Sequence, residues 1–232
     1  NLDPLSQHDQ EQLIAFGRDS GLHIWLQPGG PATAQPLHPP VSELHYHLPR
    51  FDLDMQFAPT DFVQVNFDIN NAMVDRALAL LQPAPGHRVL DLFCGIGNFT
   101  LPIASHAANV VGVEGDETLV SRARSNAERN GVTNAQFHAW DLTQDVTTTS
   151  WGRERFDGVL LDPPRSGAYE MMAPVAHMGA ERIVYVSCHP GSLARDAGDL
   201  VHRHGYRLEQ AGVMDMFPHT AHVESIAVFV RD

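Results

Sequence analysis

VLDLFCGIGNFTLP, residues 89–102, passes from an apolar strand through two glycines, Gly95 and Gly97, into a helical pattern. Glycine has no Cβ, so a turn of this kind lets backbone N–H groups approach a ligand closely. A strand-to-helix turn without any ligand would account for the glycines equally well. A nicotinamide fingerprint needs a third glycine where Thr100 stands, which disfavours dinucleotide binding. Upstream, an amphipathic stretch runs from Asn70 to Leu81. Candidate strands are His87–Leu92, Asn109–Val113, Ala135–His138, Gly158–Leu161, Arg182–Ser187, Arg207–Met214 and Val223–Val230, with helical patterns in most of the gaps. Strands alternating with helices predict a mainly parallel, doubly wound α/β sheet whose ligands sit beyond the carboxyl ends of the strands. The last two strands are joined too closely for a helix, which predicts an antiparallel hairpin at one edge.

Two acids sharpen the glycine turn. Glu114 ends the second strand in VVGVEGDE, residues 110–117, where a carboxylate can take both hydroxyls of a ribose. Asp141, in HAWDL after the third strand, can accept a hydrogen bond from an adenine amino group. Singly, each would pass for a solvated loop charge. Together with the turn they resemble the class I S-adenosylmethionine-dependent methyltransferases, which implies a Rossmann-like, seven-stranded sheet.

Composition sets outer limits. A chain of 232 residues with 43% hydrophobic content can bury one α/β core and a small subdomain beside it. There is no apolar run of about 18 residues, and NLDPLSQHDQEQ is too polar for a signal peptide, so a soluble, cytoplasmic protein without a membrane partner is expected. Two cysteines, Cys94 and Cys188, exclude a disulfide scaffold, and neither stands in a CxxC pair. A net charge of −13 opposes gripping nucleic acid by bulk electrostatics. Apart from histidine, the basic side chains are all arginine, which suits bidentate phosphate contacts. No long exposed apolar stripe is evident, so a monomer is expected.

Residues 1–60 follow a different rhythm and are assigned to a small α+β remnant of a central or accessory domain, with the catalytic domain over 61–232. A helix-like stretch near Asp9–Arg18 leads into PGGPATAQPLHPP, residues 28–40, which reads as a loop. LHYHL, 44–48, and FDLDMQF, 51–57, alternate apolar and polar residues, as half-buried strands of a small antiparallel piece do.

Chemistry is concentrated late in the chain. LLDPPRSGA, residues 160–168, places Asp162 before two prolines, and a turn so rigid can aim its carboxylate at a planar base. In YVSCHPGSLARD, residues 185–196, Cys188 ends a strand just ahead of Pro190 and a helical pattern, a position that favours thiolate. A buried small hydrophobe is the plainer reading of a free cysteine, and Cys94 fits it better. Glu224 opens the last strand in DMFPHTAHVESIAVF, residues 215–229, and points either into the same cleft or away from it. His219 and His222 have ligand-like spacing, but no third or fourth ligand accompanies them, so no metal is expected.

FVQVN, DLFCGIGNFTLP, DPPRSGA, VSCHPGSLARD and DMFPHTAHVE together resemble the RNA uracil-C5-methyltransferase family, most closely its bacterial 23S rRNA branch, over essentially the whole chain. The resemblance implies that Gln64, Phe93, Asn98, Glu114, Asp141 and Asp162 contact S-adenosylmethionine. Asp162 and Arg165 would meet the uracil, Cys188 would be the nucleophile and Glu224 the base. Members usually carry Asn after the cysteine, where this chain has His189. Most full-length members also begin with an oligonucleotide-binding barrel, and the ribosomal branch often holds an iron–sulfur cluster through upstream cysteines. Neither occurs in these residues, so the chain resembles a C-terminal fragment whose main RNA grip lies on a missing N-terminal domain. A tRNA target remains open. Two rivals stand beside this reading. One is an amino-group methyltransferase using the Asp-Pro-Pro turn, although Arg165 occupies the place of its usual aromatic. The other is a cofactor-binding scaffold without activity.

Overall fold

The computed structural model describes residues 4–231. Two compact units divide the chain, residues 1–45 with 56–63 and residues 46–55 with 64–232. In the smaller unit, helix α1 (Gln7–Ser20) opens on a capping box, in which Ser6 Oγ accepts from the Asp9 N–H and the Asp9 carboxylate accepts from the Ser6 N–H. It closes on Gly21 at φ 69°. Strands β1 (Ile24–Leu26) and β2 (Gln35–His38) pair antiparallel. Strand β2 lies inside the proline-rich segment read from sequence as a loop, and this corrects that reading. In a two-stranded sheet every strand has an unpaired side, so Pro36 can sit in the ladder without a missing N–H being felt.

Strands β3 (Leu44–Leu48) and β4 (Leu53–Phe57) form a second two-stranded sheet around a 3-10 turn at Pro49–Phe51. Part of FDLDMQF therefore belongs to the turn. Residues of this hairpin are anchored within the larger unit. The Asp54 N–H donates to Asn130 Oδ1 at 2.8 Å, and Asn130 Nδ2 donates back to the Asp54 carbonyl at 2.9 Å.

Helix α2 (Phe67–Leu81) starts slightly before the expected stretch because Asn66 caps it, its Oδ1 accepting from the Ile69 N–H at 3.2 Å. Asn70, Met73, Val74, Ala77, Leu78 and Leu81 fall on its buried face at helical spacing. There follow β5 (Arg88–Leu92), α3 (Thr100–Ala104), β6 (Asn109–Glu114), α4 (Glu117–Arg129), β7 (Ala135–Ala139), β8 (Gly158–Leu161), α5 (Tyr169–Met178), β9 (Arg182–Ser187), α6 (Pro190–Arg203), β10 (Arg207–Met214) and β11 (Glu224–Val230). The seven-stranded sheet has the order β10-β11-β9-β8-β5-β6-β7. Its β5 to β9 neighbours run parallel, while β11 is antiparallel to both β9 and β10. This is the expected class I architecture with its antiparallel edge hairpin. The central strands are buried on both faces, as their unbroken apolar runs require, with Leu90, Leu92, Val159, Leu161, Tyr185 and Phe229 in one core cluster. No helix among the described residues is long and apolar enough to cross a membrane.

Gly112, in the middle of β6, is a packing requirement. A Cβ there would stand 2.8 Å from Phe137 Cδ1 and 3.1 Å from Cys94 Sγ. Gly112→Ala is expected to destabilise the chain by about 1–3 kcal/mol through overpacking. A thermal melt would show a midpoint lowered by several degrees, and an unchanged midpoint would contradict the packing account.

Candidate active site

Because β5, β6, β8 and β9 are parallel, the residues that follow them, Phe93, Gly115, Asp162 and Cys188, leave the sheet along one edge. Chain order reverses at β5, which has β6 on one side and β8 on the other, and such a switch point opens a crevice. Antiparallel β11 begins at this same edge. Ser225 pairs with Ser187, so the register sets Glu224 opposite Cys188. The direction of Glu224, undecided from sequence, is thus inward, and the residue is 3% exposed.

The glycine turn is tied down from several sides. Phe93 stands at φ 63°, a conformation that costs a non-glycine residue about 1–3 kcal/mol and that clusters at ligand sites. Gly95 at φ 53° has open space where a Cβ would be. Glu114 reaches across from β6, its Oε2 accepting from the Gly95 N–H at 3.1 Å and its Oε1 from the Gly115 N–H at 2.7 Å. Asn98 exchanges hydrogen bonds with Asn70, Nδ2 to Oδ1 at 2.9 Å and Oδ1 from Nδ2 at 3.1 Å, and also accepts from the Tyr46 hydroxyl at 2.8 Å. Most of its amide is therefore engaged in holding the turn. One cavity, of 240 Å³, lies against Phe93, Leu142, Thr143, Pro164 and Arg195.

Sequence reasoning passed over Asp91. It is fully buried in β5, takes a 2.5 Å hydrogen bond from Thr100 Oγ1 on Oδ2, and leaves Oδ1 buried without a partner. Burial pushes its carboxyl up to about 8; the Thr100 bond opposes the shift, and the Asp162 and Glu114 carboxylates add to it. A charged side chain inside the apolar run VLDL was the available signal.

Three ionisable groups crowd the other half of the edge. Burial raises Asp162 to about 7. Burial, then the Asp162 charge, raises Glu224 to about 7. Cys188 is half-buried, and its thiol is pushed above the ordinary range by burial, then by Glu224 and Asp162; the Arg165 guanidinium pulls the other way. The place ahead of α6 favours thiolate, and burial beside two carboxyls opposes it. His189, in place of Asn, still caps α6, its Nδ1 accepting from the Ser192 N–H at 3.1 Å.

Asp141 is exposed, and its own loop engages its carboxylate through the Thr143 N–H and hydroxyl, which lower its pKa. Gln64 is half-buried with Oε1 unpartnered. Arg165 is exposed on the Asp162 loop, and His219 and His222 are exposed on the connection leading to β11.

A family model described as tRNA (Uracil-5-)-methyltransferase matches residues 50–232. The 23S rRNA (uracil(1939)-C(5))-methyltransferase RlmD of Alkalilimnicola ehrlichii is 60% identical over 233 residues, which cover all of this chain and 52% of that protein. Its counterpart in Stenotrophomonas maltophilia is 57% identical over 231 residues, with the same coverage. The chain thus spans about half the length of the curated relatives it matches. Among solved structures, the Pyrococcus abyssi tRNA (uracil-54, C5)-methyltransferase in complex with S-adenosyl-L-homocysteine is 31% identical, with a TM-score of 0.70 over 82% of this chain and 45% of that one. M. jannaschii TYW2 in complex with AdoMet, 17% identical with a TM-score of 0.61 over 86% of this chain and 91% of that one, shares the fold.

Two measurements probe these electrostatics. Iodoacetamide should label Cys188 with an apparent pKa above the ordinary thiol range, since Cys94 is buried, and Glu224→Gln should lower that value; a profile unmoved by the substitution would refute the coupling. Asp91 ionises near pH 4 when unfolded and near 8 when folded. Between those values the unfolded chain binds fewer protons, so the Asp91 contribution to stability is lost as pH rises. In melts from pH 5 to 8, Asp91→Asn should therefore gain on the unsubstituted chain, and a constant difference would count against the buried proton.

Proposed function

We propose, for a chain that belongs to the tRNA (uracil-5-)-methyltransferase family, transfer of a methyl group from S-adenosylmethionine to C5 of a uridine in RNA, with 23S ribosomal RNA as the target. The observation that carries this reading is the opposition of Cys188 and Glu224 across β9 and β11, at the sheet edge that also bears the glycine turn. The choice of ribosomal over transfer RNA follows the higher identity to the ribosomal enzymes. On this reading residues 61–232 are the catalytic domain and residues 1–60 a remnant of the central one. The principal RNA grip then belongs to the part of the longer proteins that this chain does not span, because a net charge of −13 repels phosphate.

The glycine turn suits the cofactor, with open space over Gly95 and an unpartnered carboxyl oxygen on Asp91 ready for a donor. Gln64, Phe93, Asn98, Glu114, Asp141 and Asp162 would hold it, and Asp91 joins them. When bound, S-adenosylmethionine supplies an electrophilic methyl group. Unassisted, C5 of uracil is too weak a nucleophile to take it. Cys188 Sγ, as thiolate, bonds to C6, and the C5–C6 π electrons move toward the C4 carbonyl oxygen. C5 of the enolate then takes the methyl group, the sulfonium S–CH3 bond breaking with its electron pair so that S-adenosylhomocysteine would leave. Glu224 takes the C5 proton, and cleavage of the Sγ–C6 bond restores the C5–C6 double bond and returns the thiolate. Asp162 and Arg165 orient the ring. The base must leave its stack to enter, at a cost of a few kcal/mol.

The test uses the full-length protein containing this chain and RNA carrying 5-fluorouridine, whose fluorine cannot leave as a cation. A covalent complex mapping to Cys188 is expected, and no complex with cognate RNA would sink the mechanism. With ordinary RNA, Glu224→Gln should transfer methyl groups yet accumulate the unresolved adduct. Near-normal turnover by that variant would remove Glu224 from the role of base.

A further inference from the structure

We propose that Asp196, together with Arg195 and Tyr185, is a positioning clamp that fixes the Asp162–Ala168 loop against the Cys188 turn, and that the rate of thiol addition to the base depends on it. The proposal rests on the uridine-methylation reading and assigns work to the second half of VSCHPGSLARD, which that chemistry leaves unused.

Asp196 is fully buried on α6, and both of its oxygens are occupied. Oδ2 accepts from the Ala168 N–H at 2.8 Å and from the Tyr185 hydroxyl at 2.7 Å. Oδ1 accepts from Arg195 Nε at 2.8 Å and lies 2.7 Å from a terminal guanidinium nitrogen. Arg195 also donates to the Ser166 carbonyl at 2.8 Å, and its guanidinium lies 5.3 Å from the centre of the Tyr169 ring. One carboxylate thereby joins three things: the strand that ends at Cys188, the helix that the Cys188 turn enters, and the loop that carries Asp162 and Arg165.

The fit leaves no slack at Gly167. That residue sits at φ 82°, and a Cβ on it would lie 2.6 Å from Asp196 Oδ2 and 2.7 Å from Arg195. An ion pair whose arginine is about half exposed contributes little to stability. It does supply direction, since a carboxylate with four fixed donors determines where each donor's backbone lies. Asp162 and Arg165 both act on the Cys188 thiol, so a displaced loop changes the nucleophile's surroundings as well as the seat of the base.

Four variants are measured in the full-length protein: Tyr185→Phe, Arg195→Ala, Gly167→Ala and, as the conservative partner of the second, Arg195→Lys. Below the melting midpoint of each, adduct formation with 5-fluorouridine RNA should slow by about 10- to 100-fold, the scale of a misplacement near 1 Å. The fall should appear in the rate at saturating RNA more than in KM, and Arg195→Lys should recover part of it. Alkylation of Cys188, which needs no RNA, should shift its pH profile in Arg195→Ala. A lowered midpoint with the adduct rate and alkylation profile of the unsubstituted protein would make the network a stability staple and overturn the clamp. If the unsubstituted protein forms no adduct, the methylation reading fails first, and the alkylation shift alone decides whether the loop is held as proposed.

Discussion

Strand β11 enters the sheet between β9 and β10 and runs antiparallel to β9, and the site depends on that pairing. Parallel strands bring only their carboxyl ends to the crevice. An antiparallel neighbour brings its first residue, which lets a side chain from the end of the chain stand beside one from its middle. Glu224 reaches Cys188 by this route, through backbone register and not through any local motif. All seven residues of β11 are buried, and it pairs with a neighbour on either side, β9 and β10.

What could be read from the residues follows the range of the forces involved. Strands such as Gly158–Leu161 and Arg182–Ser187 were legible to the residue, since burial on both faces demands an unbroken apolar run between polar turns. Strand β2 was not, because Pro36 is a breaker in the middle of a sheet and harmless at an edge, and only pairing tells the two apart. In the site, the glycine turn and Cys188 announced themselves through strand-end position. The direction of Glu224 did not, since it is settled by the strand alongside. The surroundings of the Cys188 thiol were only half legible for a related reason. A helix terminus is visible in sequence, whereas burial and two carboxyls brought from β8 and β11 are tertiary.

Polar residues held by distant partners were the least visible. Asn98 lies in a recognisable motif, yet its amide is engaged by Asn70 and by Tyr46 of the β3 hairpin, so its side chain steadies the turn from below. Asp196 looks from sequence like one more charge on a helix, and its burial becomes apparent only once Ala168, Tyr185 and Arg195 converge on it. In both cases a buried polar group must be satisfied, and satisfying it fixes the backbone of whichever segment supplies the partner. Two of the segments so fixed border the crevice, the glycine turn and the Asp162 loop.

The crowding of acids around Cys188 has a use in the proposed reaction. Burial beside Asp162 and Glu224 pushes the thiol above the ordinary range, which at first sight works against a nucleophile. Once the sulfur has bonded to C6 it has no proton left to hold. The negative charge of the thiolate is then delocalised into the pyrimidine ring. Glu224, held near 7 by burial and by the Asp162 charge, is matched to exchanging a proton at neutral pH when one must leave C5. Burial and a second acid at one sheet edge thus bring the carboxyl proposed as base into the range where it can both take and release a proton.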